Sequence, residues 1–238
     1  MDTYFIKDGY RLNLTPISYL PTEENAEIYQ YDVYLSAKQI IERFHLSSVL
    51  DIGCGYGTKL VTVIHPICGD ITGIDVEVAI KVCTNKYGFG NWYVDNIENP
   101  KLGLNKKFDL IIAADVIEHL VNPDALIEYI KRFLHDETFI IISTPERDLV
   151  RGKGDLGAPQ NPAHVREWNR YEFRKYLEFR GFSVISHFLV AQYKRRFDEK
   201  VKDFLMKRNK WVYSCQVVLC EFKENIVRKQ LSDIHEEK

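Results

Sequence analysis

The feature that most constrains this chain is a rhythm of short apolar runs, two of them ending on an aspartate, with helix-like stretches between most of them. Runs at 48–51, 71–75, 92–94, 108–113 and 138–143 are strand-sized, and helical spacing recurs at 58–64, 78–87 and 123–134. The run at 108–113 is almost wholly apolar, which a central parallel strand covered on both faces requires. Alternation of this kind predicts an α/β fold with a doubly wound, mostly parallel sheet and right-handed crossovers. Alternating segments at 182–193 and 212–222 predict an antiparallel hairpin at one sheet edge. Nothing approaches the roughly 18 apolar residues of a membrane span.

With 238 residues, 45% hydrophobic, the chain can bury a sizeable core as one large domain. Ahead of the rhythm, Pro21-Thr22-Glu23-Glu24 is a helix-start signal, with a hydroxyl at the cap, and predicts one helix running to Phe44. After Pro145 the rhythm breaks into a stretch with three glycines and two prolines, too long for a routine connection. A helix at 169–180 stops at Gly181, and 223–238 is a charged tail that a terminal helix would suit. Five cysteines, odd in number and without C-x-x-C spacing, fit a reducing, cytoplasmic setting. The net charge of −2 argues against a nucleic-acid-coating protein. Positive charge nevertheless gathers at Lys194-Arg195-Arg196 and Lys207-Arg208-Asn209-Lys210, either as a solvated surface or as a dock for an anionic substrate.

Chemistry concentrates at the strand ends. Gly53-Cys54-Gly55-Tyr56-Gly57 follows the first strand and opens a helix, so the backbone there can turn sharply and approach a ligand closely. A dinucleotide loop needs G-x-G-x-x-G, and Thr58 stands where the last glycine belongs. Asp51 precedes the loop, Asp75 ends the second strand and is placed to accept ribose hydroxyls, and Asp95 follows the third. Helix capping by Asp75 and a simple turn at Asp95 are the plainer alternatives.

The segments V-L-D-I-G-C-G-Y-G, G-I-D-V, D-N-I, F-D-L-I-I-A-A-D-V-I-E-H-L and I-S-T-P, in this order across 49–145, resemble class I methyltransferases that use S-adenosylmethionine (SAM). The resemblance implies a seven-stranded Rossmann-like sheet with a reversed terminal hairpin. It implies that Asp51, Gly53, Gly55 and Gly57 cradle the methionine part of SAM. Asp75 and Val76 would then meet the ribose, Asp95, Asn96 and Ile97 the adenine, and Ala114 and Asp115 the methyl donor. On this reading 1–46 is an N-terminal segment and helix covering the site, 47–238 the methyltransferase domain, and 145–168 an acceptor-side loop.

Were 115–119 helical, Asp115, Glu118 and His119 would share one face. His119, with His164 from the long loop, is then a candidate catalytic group taking the proton of an acceptor hydroxyl. Alternatively Asp115, Glu118 and His119, with or without His164, hold a divalent metal, an arrangement similar to ubiquinone-pathway O-methyltransferases and small-RNA 2′-O-methyltransferases, although Asp115 replaces their first glutamate. A helix start without chemistry is the third possibility. His164, Arg166 and Trp168 combine a titratable group, an anion fork and an aromatic platform, and the run resembles methyltransferases of surface-polysaccharide pathways. The expectation is therefore O-methylation of a sugar hydroxyl on a glycan or nucleotide-sugar. A small-molecule O- or N-methyltransferase, an RNA 2′-O-methyltransferase, a non-catalytic SAM-binding subunit and a homo-oligomeric state stay open.

Overall fold

Strands form where apolar residues can be buried on both pleats. The computed structural model describes residues 4–19, 22–196, 199 and 212–222. Its strands are β1 (Ser48–Ile52), β2 (Asp70–Asp75), β3 (Asn91–Val94), β4 (Leu110–Ala114), β5 (Phe139–Pro145), β6 (Phe182–Val190) and β7 (Cys215–Phe222). They make one sheet in the order β3-β2-β1-β4-β5-β7-β6. The first five are mutually parallel, and β7 inserts antiparallel between β5 and β6. This is the expected doubly wound sheet with its reversed hairpin.

Alternation along the central strands assigns the two cores. Val49, Leu110, Ile112 and Ile141 pack against Val33, Tyr34, Ala37 and Ile41 of helix α2 (Tyr31–Phe44). Leu50, Ile52, Ile111, Ala113, Ile140 and Ile142 face α4 (Asp124–Lys131) and α6 (Arg170–Phe179). Every residue of β1 and of β4 is buried, because helices cover both faces.

Several local expectations are corrected. The single N-terminal helix is two, α1 (Glu23–Ile28), capped by the Thr22 hydroxyl, and α2. Between them Gln30 adopts φ +55, while Gln30 N–H donates to Gln192 O and Lys194 N–H to Ile28 O. Those contacts to the segment after β6 replace the helical bonds that a continuous helix would have made. The helix after the glycine loop passes into a π-helical turn at Leu60–Ile64. Beyond it come α3 (Glu77–Lys86) and, within the long stretch after β5, the short α5 (Arg147–Arg151). Helix α6 begins at a full capping box, Asn169 with Glu172, and ends before Gly181 at φ +95. The 207–210 basic cluster and the charged tail lie outside the described residues.

Candidate functional site

In a parallel sheet the carboxyl ends of neighbouring strands share one rim, and ligands bind where the strand order reverses, here between β1 and β4. On that rim lies a cavity of about 360 Å³. Gly53, Gly55, Asp75, Val76, Asp95, Asn96, Ile97, Ala114, Asp115 and His119 all line it. So do Tyr19, Tyr29, Gln30 and Lys59, which the sequence reading passed over; residues 16–19, 25, 26, 29 and 30 together form the N-terminal part of its wall.

The glycine loop is shaped by left-handed backbone, φ +77 at Gly53, +55 at Gly55 and +66 at Gly57. Gly55 N–H donates to Asp75 Oδ2 and Val76 N–H to Asp75 Oδ1, each at 2.7 Å. The loop and the end of β2 therefore lock together around one carboxylate. Burial raises the Asp75 pKa, and the two N–H donors oppose the shift.

Other expected positions move. Asp51 and Gly57 do not line the cavity. Asp51 is fully buried behind the loop, where its Oδ2 accepts from the Tyr34 hydroxyl at 2.7 Å and its Oδ1 has no hydrogen-bond partner. Burial pushes its pKa to about 7, against the Tyr34 bond and the Lys59 charge. Gly57 is needed for packing, since a Cβ there would stand 2.7 Å from the Trp92 ring. Asp95 reaches the cavity wall, yet three protein donors already hold its carboxylate: Lys101 N–H, Leu102 N–H and the Tyr129 hydroxyl. Burial acts to raise its pKa, and these bonds outweigh it and hold the carboxylate below its ordinary value. Its clear structural role is to tie down the 95–102 loop.

The shared face of Asp115, Glu118 and His119 does not form. Asp115 takes φ +52 at the end of β4, and only the single 3-10 turn Ile117–His119 follows. Asp115 Oδ1 accepts from Ser143 Oγ at 2.5 Å, while Glu118 Oε2 accepts from Thr144 Oγ1 at 3.1 Å. Glu118, His119 and His164 instead converge, with one ligand atom from each lying within 4.8 Å of the others. Glu118 is fully buried, and its Oε1 has no hydrogen-bond partner. Burial and the nearby Asp115 charge drive its pKa well up.

The two histidines differ. His119 Nδ1 donates to Ala163 O at 2.9 Å, which leaves the Nε2 lone pair open beside the cavity. Its ring packs against Tyr19, with centroids 5.3 Å apart, and edge-on to His164 at 4.8 Å. Burial lowers its pKa to about 4, with His164 adding to the shift. His164 donates from Nδ1 to Glu167 Oε1 at 2.8 Å and accepts from Asn161 Nδ2 at 2.9 Å. With both ring nitrogens engaged and no place on the cavity wall, His164 is not placed as the acid–base group expected of it. Glu118 Oε1 and His119 Nε2 are the atoms of the trio left open to a divalent cation, and His164 would join them only by giving up its Asn161 bond.

Arg166 and Trp168 do not form a rim. Trp168 is 0% exposed and Arg166 2%. The indole donates to Tyr4 O and stacks on Tyr176, and the guanidinium donates to Leu120 O and Val121 O. The N-terminal segment covers both, with Arg166 lying 4.7 Å from the Tyr4 ring centroid. The cavity mouth carries Ile17, Tyr19 and Val121, at 60%, 46% and 49% exposure. All five cysteines are buried and free, and no helix among the described residues is long and apolar enough to cross a membrane.

Comparison with known proteins bears on this geometry. A family model described as a methyltransferase domain matches residues 19–187. The ubiquinone biosynthesis O-methyltransferase of Glaesserella parasuis serovar 5 (strain SH0165) is 29% identical over 108 residues, 42% of this chain and 45% of that protein. The chain spans a little under half the length of the curated relatives it matches. Among solved structures, the methyltransferase domain of bacterial CtHen1-C aligns over 81% of this chain and 97% of its own, with TM-score 0.57 and 19% identity. The [4+2]-cyclase SpnF aligns over 80% and 81%, with TM-score 0.59 and 16% identity. At such identities the likeness is one of fold, and function must be argued from the site.

Proposed function

The chain belongs to the methyltransferase-domain family, and from that membership we propose that it binds SAM on the rim of β1, β2 and β4 and transfers the methyl group to a hydroxyl oxygen. The observation that carries the reading is the Asp75 carboxylate, locked by two backbone N–H groups at the wall of the cavity that the glycine loop opens. A carboxylate so held can accept both hydroxyls of a ribose. Adenine then lies by Asn96 and Ile97, and the methionine part by Gly53 and Gly55. Transfer is an in-line displacement in which the acceptor oxygen forms a C–O bond as the C–S bond breaks. S-adenosylhomocysteine (SAH) leaves, and the hydroxyl proton departs as the oxygen becomes acidic.

His119 is neutral at pH 7, with Nε2 as its open nitrogen. A base of pKa about 4 facing a phenol-like hydroxyl of pKa near 10 would make prior proton removal uphill by roughly 8 kcal/mol. His119 therefore orients the hydroxyl and takes up its proton only as the bond forms. The acceptor enters past Pro16, Ile17, Tyr19, Leu120 and Val121, an apolar mouth suited to a small hydroxylated compound with an aromatic or apolar body. The named activity of the ubiquinone-biosynthesis relatives agrees with O-methylation. The sugar reading drew its residue-level support from Arg166 and Trp168, and both are buried.

A second reading is favoured by the unpartnered Glu118 Oε1: Glu118, His119 and His164 would hold a divalent cation, which would lower the acceptor's pKa. Titration calorimetry with SAH tests the main proposal. Asp75→Ala should weaken binding about 10- to 100-fold, and unchanged affinity would remove Asp75 from the site. Turnover of labelled SAM with phenolic acceptors, with and without a chelator, separates the two readings: loss restored by Mg²⁺ or Mn²⁺ supports the cation, and insensitivity leaves His119 alone.

A further inference from the structure

The His119 imidazole must present Nε2 along a line to the acceptor hydroxyl, yet among the described residues one hydrogen bond holds its ring, from Nδ1 to Ala163 O at 2.9 Å. That bond directs Nδ1 and leaves the tilt of the ring plane to the neighbours. Tyr19 lies on the imidazole face, with planes 26° apart and centroids at 5.3 Å, inside the range of an offset stack. His164 meets the imidazole edge-on, at 85°. A ring laid on the face resists tilting and leaves the lone pair uncovered, because the lone pair lies in the imidazole plane. Tyr19 is itself set by the N-terminal segment, which is bonded along the 161–165 loop. Asn13 N–H donates to Val165 O at 2.9 Å and Ile17 N–H to Pro162 O at 3.1 Å, while Asn13 Nδ2 donates to Pro162 O and His164 O. The same loop supplies Ala163 O. The hydrogen-bond partner and the stacking partner of His119 are thus joined to each other by backbone bonds.

We propose that Tyr19 is a positioning residue for methyl transfer, holding the His119 imidazole in the plane that aims Nε2 at the acceptor hydroxyl. The ring does this and the phenol hydroxyl does not, so phenylalanine should serve in its place. This rests on the His119 reading given above and deepens it.

The test is steady-state kinetics with SAM and p-cresol as the phenolic probe, on wild type, Tyr19→Phe, Tyr19→Leu, His119→Ala and the Tyr19→Leu/His119→Ala double variant. Tyr19→Leu keeps apolar bulk at the mouth and loses the stack. Its kcat should fall about 10- to 100-fold, as misplacement of a reacting group by an ångström or less does, with KM for p-cresol and Kd for SAH changed less than about threefold. Tyr19→Phe should hold kcat within about threefold of wild type. In the His119→Ala background Tyr19→Leu should cost nothing further, since a residue that acts through another has no effect once the other is gone. Proton–carbon NMR gives a second readout: the His119 Hε1 resonance should move in Tyr19→Leu, which loses the ring current, and stay in place in Tyr19→Phe. Tyr19 is 46% exposed, so the variants should fold, and Tyr19→Met replaces Tyr19→Leu if that one does not. A raised KM at unchanged kcat would overturn the proposal and leave Tyr19 as a wall of the mouth. An equal loss with and without His119, or an Hε1 resonance indifferent to Tyr19→Leu, would also overturn it. Full turnover in His119→Ala would instead reject the His119 reading, and this inference with it.

Discussion

Replacing Gly53 by alanine sets a methyl group into two conflicts at once. The backbone at Gly53 has φ +77, a left-handed conformation that costs an L-residue about 1–2 kcal/mol. The added Cβ would also stand 2.4 Å from Val116 Cγ2, far inside the roughly 3.5–4.0 Å of carbon–carbon contact. Val116 is β-branched and stiff at χ1, and it lines the cavity, so relief must displace either the side chain or the loop. Overpacking of this kind costs about 1–3 kcal/mol. The two effects together predict a loss of about 2–5 kcal/mol in Gly53→Ala. Val116→Ala removes the colliding methyl and leaves the backbone strain untouched. The double variant should therefore recover the packing part alone, giving a coupling of about 1–3 kcal/mol in a double-mutant cycle. Equilibrium urea unfolding of all four proteins measures this, with calorimetric SAH titration on those that fold. Additive effects, or a single variant within about 0.5 kcal/mol of wild type, would refute the reasoning.

Two further outcomes are expected. His187, held by Gln216 in the β6–β7 hairpin, has its pKa lowered from 6.5 to about 4, first by burial and then by Arg170. A histidine depressed in the fold adds stability above its unfolded pKa and loses it as pH falls, so the advantage of wild type over His187→Gln should shrink between pH 6.5 and 4 in a pH series of thermal melts. Arg166→Ala leaves Leu120 O and Val121 O without their donor and removes packing against Tyr4, a predicted loss of about 2–4 kcal/mol in the unfolding free energy from urea titration. An Arg166 variant with normal stability and a raised KM for the acceptor would restore it to the rim.

Much of the frame was legible because its determinants are local. Strand burial on two faces writes itself as continuous apolar runs, and the turn after β1 demands glycine at positive φ, so the sheet, the loop and the order of acids along the rim could be read from spacing. The failures share a cause as well. Asp115, Glu118 and His119 have helical spacing, but Asp115 leaves β4 in a left-handed conformation and the helix lasts one turn. His164, Arg166 and Trp168 look like rim chemistry because burial of polar side chains leaves no local mark. The burial of Lys59 leaves no mark for the same reason.

By itself, then, the sequence determined the class of fold and the rim on which a ligand must sit, because hydrophobic period and glycine backbone freedom act over a few residues. Only the tertiary structure decided which polar groups face the cavity. Tyr4 packs over Arg166, and the Glu167 N–H donates to the Tyr10 hydroxyl oxygen, across more than 150 residues of chain. Contacts between segments so far apart in sequence choose between substrate-binding and buried roles, and no local pattern carries that choice.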